Sequence, residues 1–326
     1  MRIGIYSPNW IGDSVLAIPF IQLIKAKEQD AEIIIICKDW VSGVYANHPA
    51  VNEIISFSDT QLSGFFNTLR SGRKLKRYKF DIFYTLTDSF RSAFLLWLSG
   101  ARKRVGYSAQ MRFAFLTDVK SLARKPVHRS EKYMNLISEN LMTSSSPEIH
   151  ITKSENSWAK KEIQKLKLNY PVALFPFSVA DNRNISIDRL IQWIKETNNE
   201  YLVFGSKNEI EKGEKFINDS QSVSIKSICG KYTLRESIAI ISICNYTLAT
   251  DSGLGHISAA LGLPTISFFG AGFDTITSPI GKKTKIIKHC SPCLGELCED
   301  LDNSRRCIQK ISKFDIENAV NSITNQ

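Results

Sequence analysis

No stretch of this chain is apolar enough to cross a membrane as a helix. Residues 33–37 and 94–98 are among its longest apolar runs, far short of the roughly 18 residues required. Met1-Arg2 leads into Asn9, Gly12 and Asp13 before the apolar core of an export signal can form, so a cytoplasmic protein is expected. The seven cysteines are an odd number, which argues against a disulfide framework and suits a reducing compartment. The phosphate-binding G-x-x-x-x-G-K-[ST] loop, a G-x-G-x-x-G turn after the first strand and the zinc-binding H-E-x-x-H are all absent. Acidic residues are scarce in one segment. Residues 70–132 hold 16 Lys/Arg against Asp81, Asp88, Asp118 and Glu131, while the whole chain carries a net charge of only +10. Such a concentrated basic surface is either a solvated helix face or the seat of an anionic partner: nucleic acid, phospholipid or phosphorylated glycolipid.

What is present is an ordinary globular balance, with 326 residues, 43% apolar and 23% charged, enough for two domains. Short apolar strands alternate with helical spacing. Strands are expected at 3–6, 33–37, 53–57 and 80–86, with helices at 15–27 and 90–98. A polar breaker, Thr143-Ser144-Ser145-Ser146-Pro147, precedes a charged helical segment at 158–168, so the linker falls within 141–158. Alternation then restarts, with strands at 172–177, 201–205, 222–228, 246–250 and 265–269. Helices fall at 187–196, 209–217, 234–241 and 255–261. Thr233 with Glu236 forms the capping-box start of the 234–241 helix. The expected class is α/β with mostly parallel sheets, as domains 1–155 and 156–326. Such sheets bind ligands beyond their strands' carboxyl ends. The working site is therefore expected between the loop at 7–13 and the loops at 176–184, 205–209 and 250–256.

Several residues in those loops can carry chemistry. In Thr250-Asp251-Ser252-Gly253-Leu254-Gly255-His256, Asp251 and Ser252 occupy N-cap positions, and the free amides that follow suit a phosphate or diphosphate. A capped helix with nothing bound is an equal reading. Asp13 is either a helix cap or a general base that takes a proton from a sugar hydroxyl. Ser178 and Arg183 follow a strand directly; the arginine either neutralises a leaving diphosphate or is an ordinary surface side chain. Cys290, Cys293, Cys298 and Cys307 are crowded enough to hold a structural zinc or iron, although reduced thiols explain them too. Cys37, Cys229 and Cys244 read as buried thiols.

Assembled, these segments resemble the bacterial ADP-heptose:lipopolysaccharide heptosyltransferases, glycosyltransferase family 9. Ser7-Pro8-Asn9-Trp10-Ile11-Gly12-Asp13 is similar to the family's opening signature. Asp88-Ser89-Phe90-Arg91-Ser92-Ala93 with Arg104-Val105-Gly106-Tyr107 resembles its acceptor-domain segment. Asp251-Ser252-Gly253-Leu254-Gly255-His256 with Ala259-Ala260-Leu261 resembles its nucleotide-sugar loop, and Cys290-Ser291-Pro292-Cys293 with Cys298 and Cys307 its C-terminal cysteines. The likeness spans nearly the whole chain.

The resemblance implies a GT-B fold of two facing Rossmann-like domains. It implies an inverting transferase that uses ADP-heptose without a required metal and acts on heptosyl-Kdo2-lipid A, the lipid A-core glycolipid. Asp13 is then the base, and Asn9, Trp10 and Arg91 meet the acceptor. Ser178, Arg183, Asp251, Ser252, Gly253, Leu254 and His256 meet the donor, with Tyr232 at its adenine. Arg183-Asn184-Ile185-Ser186 stands where the family usually has Lys-Arg-Trp-Pro. The basic segment would bind the glycolipid's phosphates and attach the enzyme peripherally to the anionic inner leaflet of the inner membrane. A same-family transferase with another acceptor, a different core sugar or a protein, is the nearest rival. A non-catalytic nucleic-acid-binding protein uses the basic segment but leaves Asp13 and the 250–256 loop idle.

Overall fold

A computed structural model describes the chain outside residues 124, 139–144, 181–182, 223, 271, 290–305 and 325–326 and the side chains of 306 and 307. The chain forms two compact units, Met1–Pro147 and Glu148–Gln326. The first contains β1 (Arg2–Tyr6), α1 (Ile11–Leu16), α2 (Ile18–Lys27), β2 (Glu32–Lys38), β3 (Glu53–Phe57), α3 (Asp59–Leu62) and α4 (Gly64–Lys74). It continues with β4 (Ile82–Thr85), α5 (Phe90–Leu98), β5 (Lys103–Tyr107), β6 (Asp118–Lys120) and α6 (Arg129–Met134). Its strands form one parallel sheet in the order β3-β2-β1-β4-β5-β6. Helices cover the sheet, so β2 is buried almost end to end and reads as an unbroken isoleucine run rather than an alternating one.

The second unit contains α7 (Lys153–Lys165), β7 (Val172–Phe175), α8 (Ile187–Lys195), β8 (Tyr201–Val203), α9 (Ile210–Ser220), β9 (Ile225–Ser227) and α10 (Leu234–Ile241). Then follow β10 (Thr247–Thr250), α11 (Gly253–Ala260), β11 (Thr265–Phe268), α12 (Asp274–Thr277), β12 (Thr284–Ile287), α13 (Arg306–Gln309) and α14 (Lys313–Thr324). Its parallel sheet runs β12-β11-β10-β7-β8-β9. Counted from the first strand of each unit, both sheets have the Rossmann order 3-2-1-4-5-6. The chain is thus an α/β protein with two six-stranded parallel, Rossmann-like units.

Local sequence explains the departures from expectation. The single helix expected at 15–27 is two helices, because Pro19 at the start of α2 has no N–H to give the Val15 carbonyl. The helix expected from 158 begins at Lys153, where Thr152 and Glu155 form a capping box. Glu155 also pairs with Arg235 of α10 at 2.7 Å, which ties this segment into the second unit. The helix expected at 255–261 begins at Gly253 with Ser252 as its N-cap, so Asp251 precedes the cap instead of sharing it.

The strand order fixes where a site belongs. In each sheet the winding reverses between the first and fourth strands, and the loops leaving those strands diverge to open a crevice. In the first unit these are the loops after β1 and β4; in the second, those after β7 and β10.

Candidate active site

The loop after β1 is held from below. The Ser7 amide donates to the Ile36 carbonyl at 2.8 Å, and the Ser7 and Tyr45 hydroxyls lie 2.6 Å apart. Ser14 Oγ donates to the Pro8 carbonyl and the Trp40 indole N–H to the Asn9 carbonyl. This leaves the Trp10 side chain 65% exposed. Asn9 Oδ1 is buried without a hydrogen-bond partner among the described residues, an acceptor available to a ligand's hydroxyl.

Asp13 lies inside the first turn of α1, three residues beyond Trp10 at the N-cap position. It is therefore not the helix cap. Its carboxylate points to α6, where Arg129 Nε is 3.6 Å from Oδ1. Burial raises the Asp13 pKa above the ordinary aspartate value, while Arg129 and then Lys132 pull it down. The result is a sheltered, proton-accepting carboxylate flanked by two cations.

The loop after β4 is organised by a residue that the sequence did not single out. Arg112 is fully buried. Its guanidinium donates to the carbonyls of Tyr107 (2.8 Å), Thr87 (2.5 Å) and Ser89 (3.3 Å) and pairs with Asp88 at 3.4 Å. Burial pulls its pKa down, and Asp88 opposes that shift. Lys132 Nζ meets the other Asp88 oxygen at 2.5 Å, so α6 supplies cations to both Asp13 and Asp88. Ser89 Oγ caps α5 by accepting from the Ser92 amide. Arg91, one residue into α5, is exposed and close enough to oppose the burial-driven rise of the Tyr6 pKa.

In the second unit the loops after β7 and β10 bring together most of the expected donor residues. Ser178 Oγ donates to the Asp251 carbonyl at 3.0 Å, and the Ser178 amide donates to Asn184 Oδ1 at 2.6 Å. Arg183 Nη1 lies 3.2 Å from Asp251 Oδ2. Thr250 Oγ1 donates to the Phe175 carbonyl, which locks the ends of the two strands together. Ser252 Oγ and Arg183 Nε are buried without a hydrogen-bond partner among the described residues. Gly253 and Leu254 open α11, where amides have no intrahelical acceptor. Gly255 lets α11 press on β10: a Cβ there would come within 3.1 Å of Ala249 Cβ. His256 is buried on the same helix.

Tyr232 is placed apart from this group. It follows β9, two strands from β7; its hydroxyl donates to Glu162 at 3.0 Å, and its ring packs edge-on against Trp158. Desolvation, then Glu162, pushes its pKa to about 12. Cys37, Cys229 and Cys244 are buried free thiols. Cys290, Cys293, Cys298 and the Cys307 side chain lie outside the described residues.

Each unit thus has a polar cluster at its switch point, the first around a sheltered carboxylate and the second around a guanidinium and helix amides. The sequence profile described as glycosyltransferase family 9 (heptosyltransferase) matches residues 68–302. The chain belongs to glycosyltransferase family 9. Within this heptosyltransferase family it is 23% identical over 307 residues to lipopolysaccharide heptosyltransferase 2 of Escherichia coli K12, covering 88% of each chain. The solved E. coli ADP-heptose lps heptosyltransferase II superposes with a TM-score of 0.85 at 20% identity, covering 100% of this chain and 99% of that one. An E. coli heptosyltransferase solved with ADP gives 0.75 at 14% identity, covering 99% of each. The family match contains the loop after β4, Arg112, α6 and both second-unit loops. Asp13 precedes the matched region and falls within the superposed structure.

Proposed function

We propose that this family 9 glycosyltransferase moves heptose from ADP-L-glycero-D-manno-heptose to the heptose of heptosyl-Kdo2-lipid A, with inversion. The observation that carries the reading is Asp13: a carboxylate of raised pKa, off the helix cap, beside Arg129 and within the field of Lys132. A sugar hydroxyl becomes nucleophilic only as its proton leaves, and a base of raised pKa accepts that proton more readily. The acceptor oxygen forms the new bond to the anomeric carbon while the bond from that carbon to the diphosphate oxygen breaks. The proton passes to Asp13 and ADP carries away the bonding pair.

The leaving diphosphate needs positive charge and donors already in place. Arg183, Ser178, Ser252 and the amides of Gly253 and Leu254 supply them, so charge neutralisation falls to the protein's own groups. Asp251 holds Arg183 in position before the donor arrives. His256 and Tyr232 complete the donor side, with Tyr232 as the outlying contact. Asn9, Trp10 and Arg91 are assigned to the acceptor, and Arg129 and Lys132 suit its anionic groups. The first unit is then the acceptor domain and the second the ADP-sugar domain. Such a glycolipid acceptor puts the enzyme at the cytoplasmic face of the inner membrane.

The names of the similar proteins, one an ADP-heptose transferase and one solved with ADP, support the donor. The cations of the first unit favour an anionic acceptor without specifying which sugar accepts, so transfer to another core sugar or a protein is the second reading. Incubation of heptosyl-Kdo2-lipid A with ADP-heptose, followed by mass spectrometry for the added heptose and NMR for its anomeric configuration, tests the proposal. One added heptose in the opposite anomeric configuration to the donor supports it. A retained configuration overturns the single-displacement role of Asp13, and no addition transfers the search to other acceptors.

A further inference from the structure

One feature of the first unit has no part in the chemistry above. Phe65, Phe66, Phe90, Phe94, Trp97 and Phe115 form a continuous ring cluster over α4, α5 and the turn Arg112–Phe115, with neighbouring centroids 5.1–6.5 Å apart. Its outer members are open to solvent: Phe65 is 63% exposed, Phe66 81% and Trp97 48%, with Phe113 at 62% and Met111 at 83% on the adjoining turn. Exposed apolar surface of this extent on a water-soluble unit marks an interaction site. The platform is closely packed: a Cβ on Gly72 would come within 2.6 Å of Leu98 Cβ, so α4 and α5 are in direct contact.

The charge around the cluster is mainly positive. Arg70 and Arg73 follow Phe66 on α4 at i+4 and i+7, the spacing that puts them on its side of the helix. Residues 60–117 contain eleven Lys/Arg and only two acids, Asp81 and Asp88. Both acids are already engaged, Asp81 with Arg102 and Asp88 with Arg112 and Lys132. The cluster also joins the acceptor half-site directly: Phe90 lies between Ser89, the cap of α5, and Arg91.

We propose that this aromatic surface inserts into the headgroup–acyl boundary of an anionic lipid bilayer, with Arg70 and Arg73 meeting the lipid phosphates. Exposed rings beside cations are what interfacial binding requires, and neither the rings nor the charges suffice alone. The rings are five phenylalanines and Trp97, side chains of the kind that the apolar face of an interfacial membrane binder carries. A two-fold contact with a second copy would set Arg70 and Arg73 against their own images, which like-charge repulsion disfavours. The proposal deepens the lipid-linked acceptor reading, because the surface would hold the acceptor half-site beside the bilayer that carries the acceptor.

The test is co-sedimentation of the full chain with vesicles, with no donor or acceptor present. One set is phosphatidylcholine alone; the other has equal parts of phosphatidylcholine and phosphatidylglycerol. Binding to the second set only, reversed by salt, is expected. The F65S/F66S variant should bind at least about tenfold more weakly. R70E/R73E should not bind, and R70K/R73K should bind as the parent does. Circular dichroism and thermal unfolding equal to the parent's confirm that each variant is folded. Absent parent binding, or undiminished binding by F65S/F66S, overturns the proposal. A concentration-dependent dimer that F65S/F66S abolishes reassigns the surface to a second copy. Failure here leaves the transferase reading standing, since no step of the assay depends on catalysis.

Discussion

Replacing Arg129 by glutamine should move the acidic limb of the kcat/KM pH profile upward. In the proposed mechanism Asp13 works as the carboxylate, so activity is expected to fall as pH drops through its pKa. Arg129 Nε, 3.6 Å from Asp13 Oδ1, favours the ionised form and lowers that pKa against the larger effect of burial. For unit charges at that distance, Coulomb's law gives about 1 kcal/mol in water and about 5 kcal/mol at an effective dielectric near 20. The two side chains are 34% and 24% exposed, so solvent screening holds the figure near the low end, about 1–2 kcal/mol or about one pKa unit. Lys132 cannot replace the lost charge in full, because its ammonium is bound to Asp88 at 2.5 Å. The buried phenols nearest Asp13, Tyr45 and Tyr133, stay neutral through this range, since burial raises both. Initial rates of ADP release across pH 4–8 give the limb. R129Q should raise it by about one unit and R129K by much less, since charge is kept. A limb that stays in place, or moves to lower pH, refutes the electrostatic coupling of Arg129 to Asp13.

Three further outcomes follow from the same geometry. Asp13→Ala should lower kcat by about 100- to 10,000-fold while ADP affinity by calorimetry stays near the parent's; an unchanged rate removes Asp13 from the mechanism. Arg183→Ala should weaken ADP binding by about 2 kcal/mol, roughly 30-fold, and equal affinity would return Arg183 to an ordinary structural role. Glu155→Gln should cost the second unit about 1–3 kcal/mol in denaturant titration at neutral pH, because the Arg235 hydrogen bond, above all, holds Glu155 down to about 2. With its folded pKa depressed, the stabilisation is present above the ordinary glutamate pKa and is lost as pH falls towards about 2. A parent and variant that differ equally at all pH values would contradict that linkage.

Much of this was legible in the residues, and the misses have physical causes. Buried parallel strands announce themselves as apolar runs, which is why β2 and β7 stand where the sequence puts them. Asp118–Lys120, the edge strand of the first sheet, carries charges that an edge tolerates, and Lys103–Tyr107 beside it opens on Lys103 and Arg104 at its less buried end, so the strand character of both is hidden. The capping box at Thr152 has the same Thr-x-x-Glu spacing as the one recognised at Thr233, and its lack of a following apolar run concealed it. Asp251 looked like a cap because caps favour aspartate; the structure gives the cap to Ser252 and the carboxylate to Arg183. Arg112 left no signal, because its partners are mainly backbone carbonyls brought near only by the fold. The Asp13–Arg129 pair was invisible for a like reason: a residue in the first turn of α1 meets a helix from the far end of the same unit.

The most direct test of the account is ADP release from ADP-heptose, measured with and without heptosyl-Kdo2-lipid A. Release that depends on the acceptor, and that Asp13→Ala removes, is the predicted result. Release at the same rate without acceptor, or none despite ADP binding, would contradict the assigned acceptor. A protein that neither releases nor binds ADP would contradict the donor site built on Arg183, Ser178 and the start of α11.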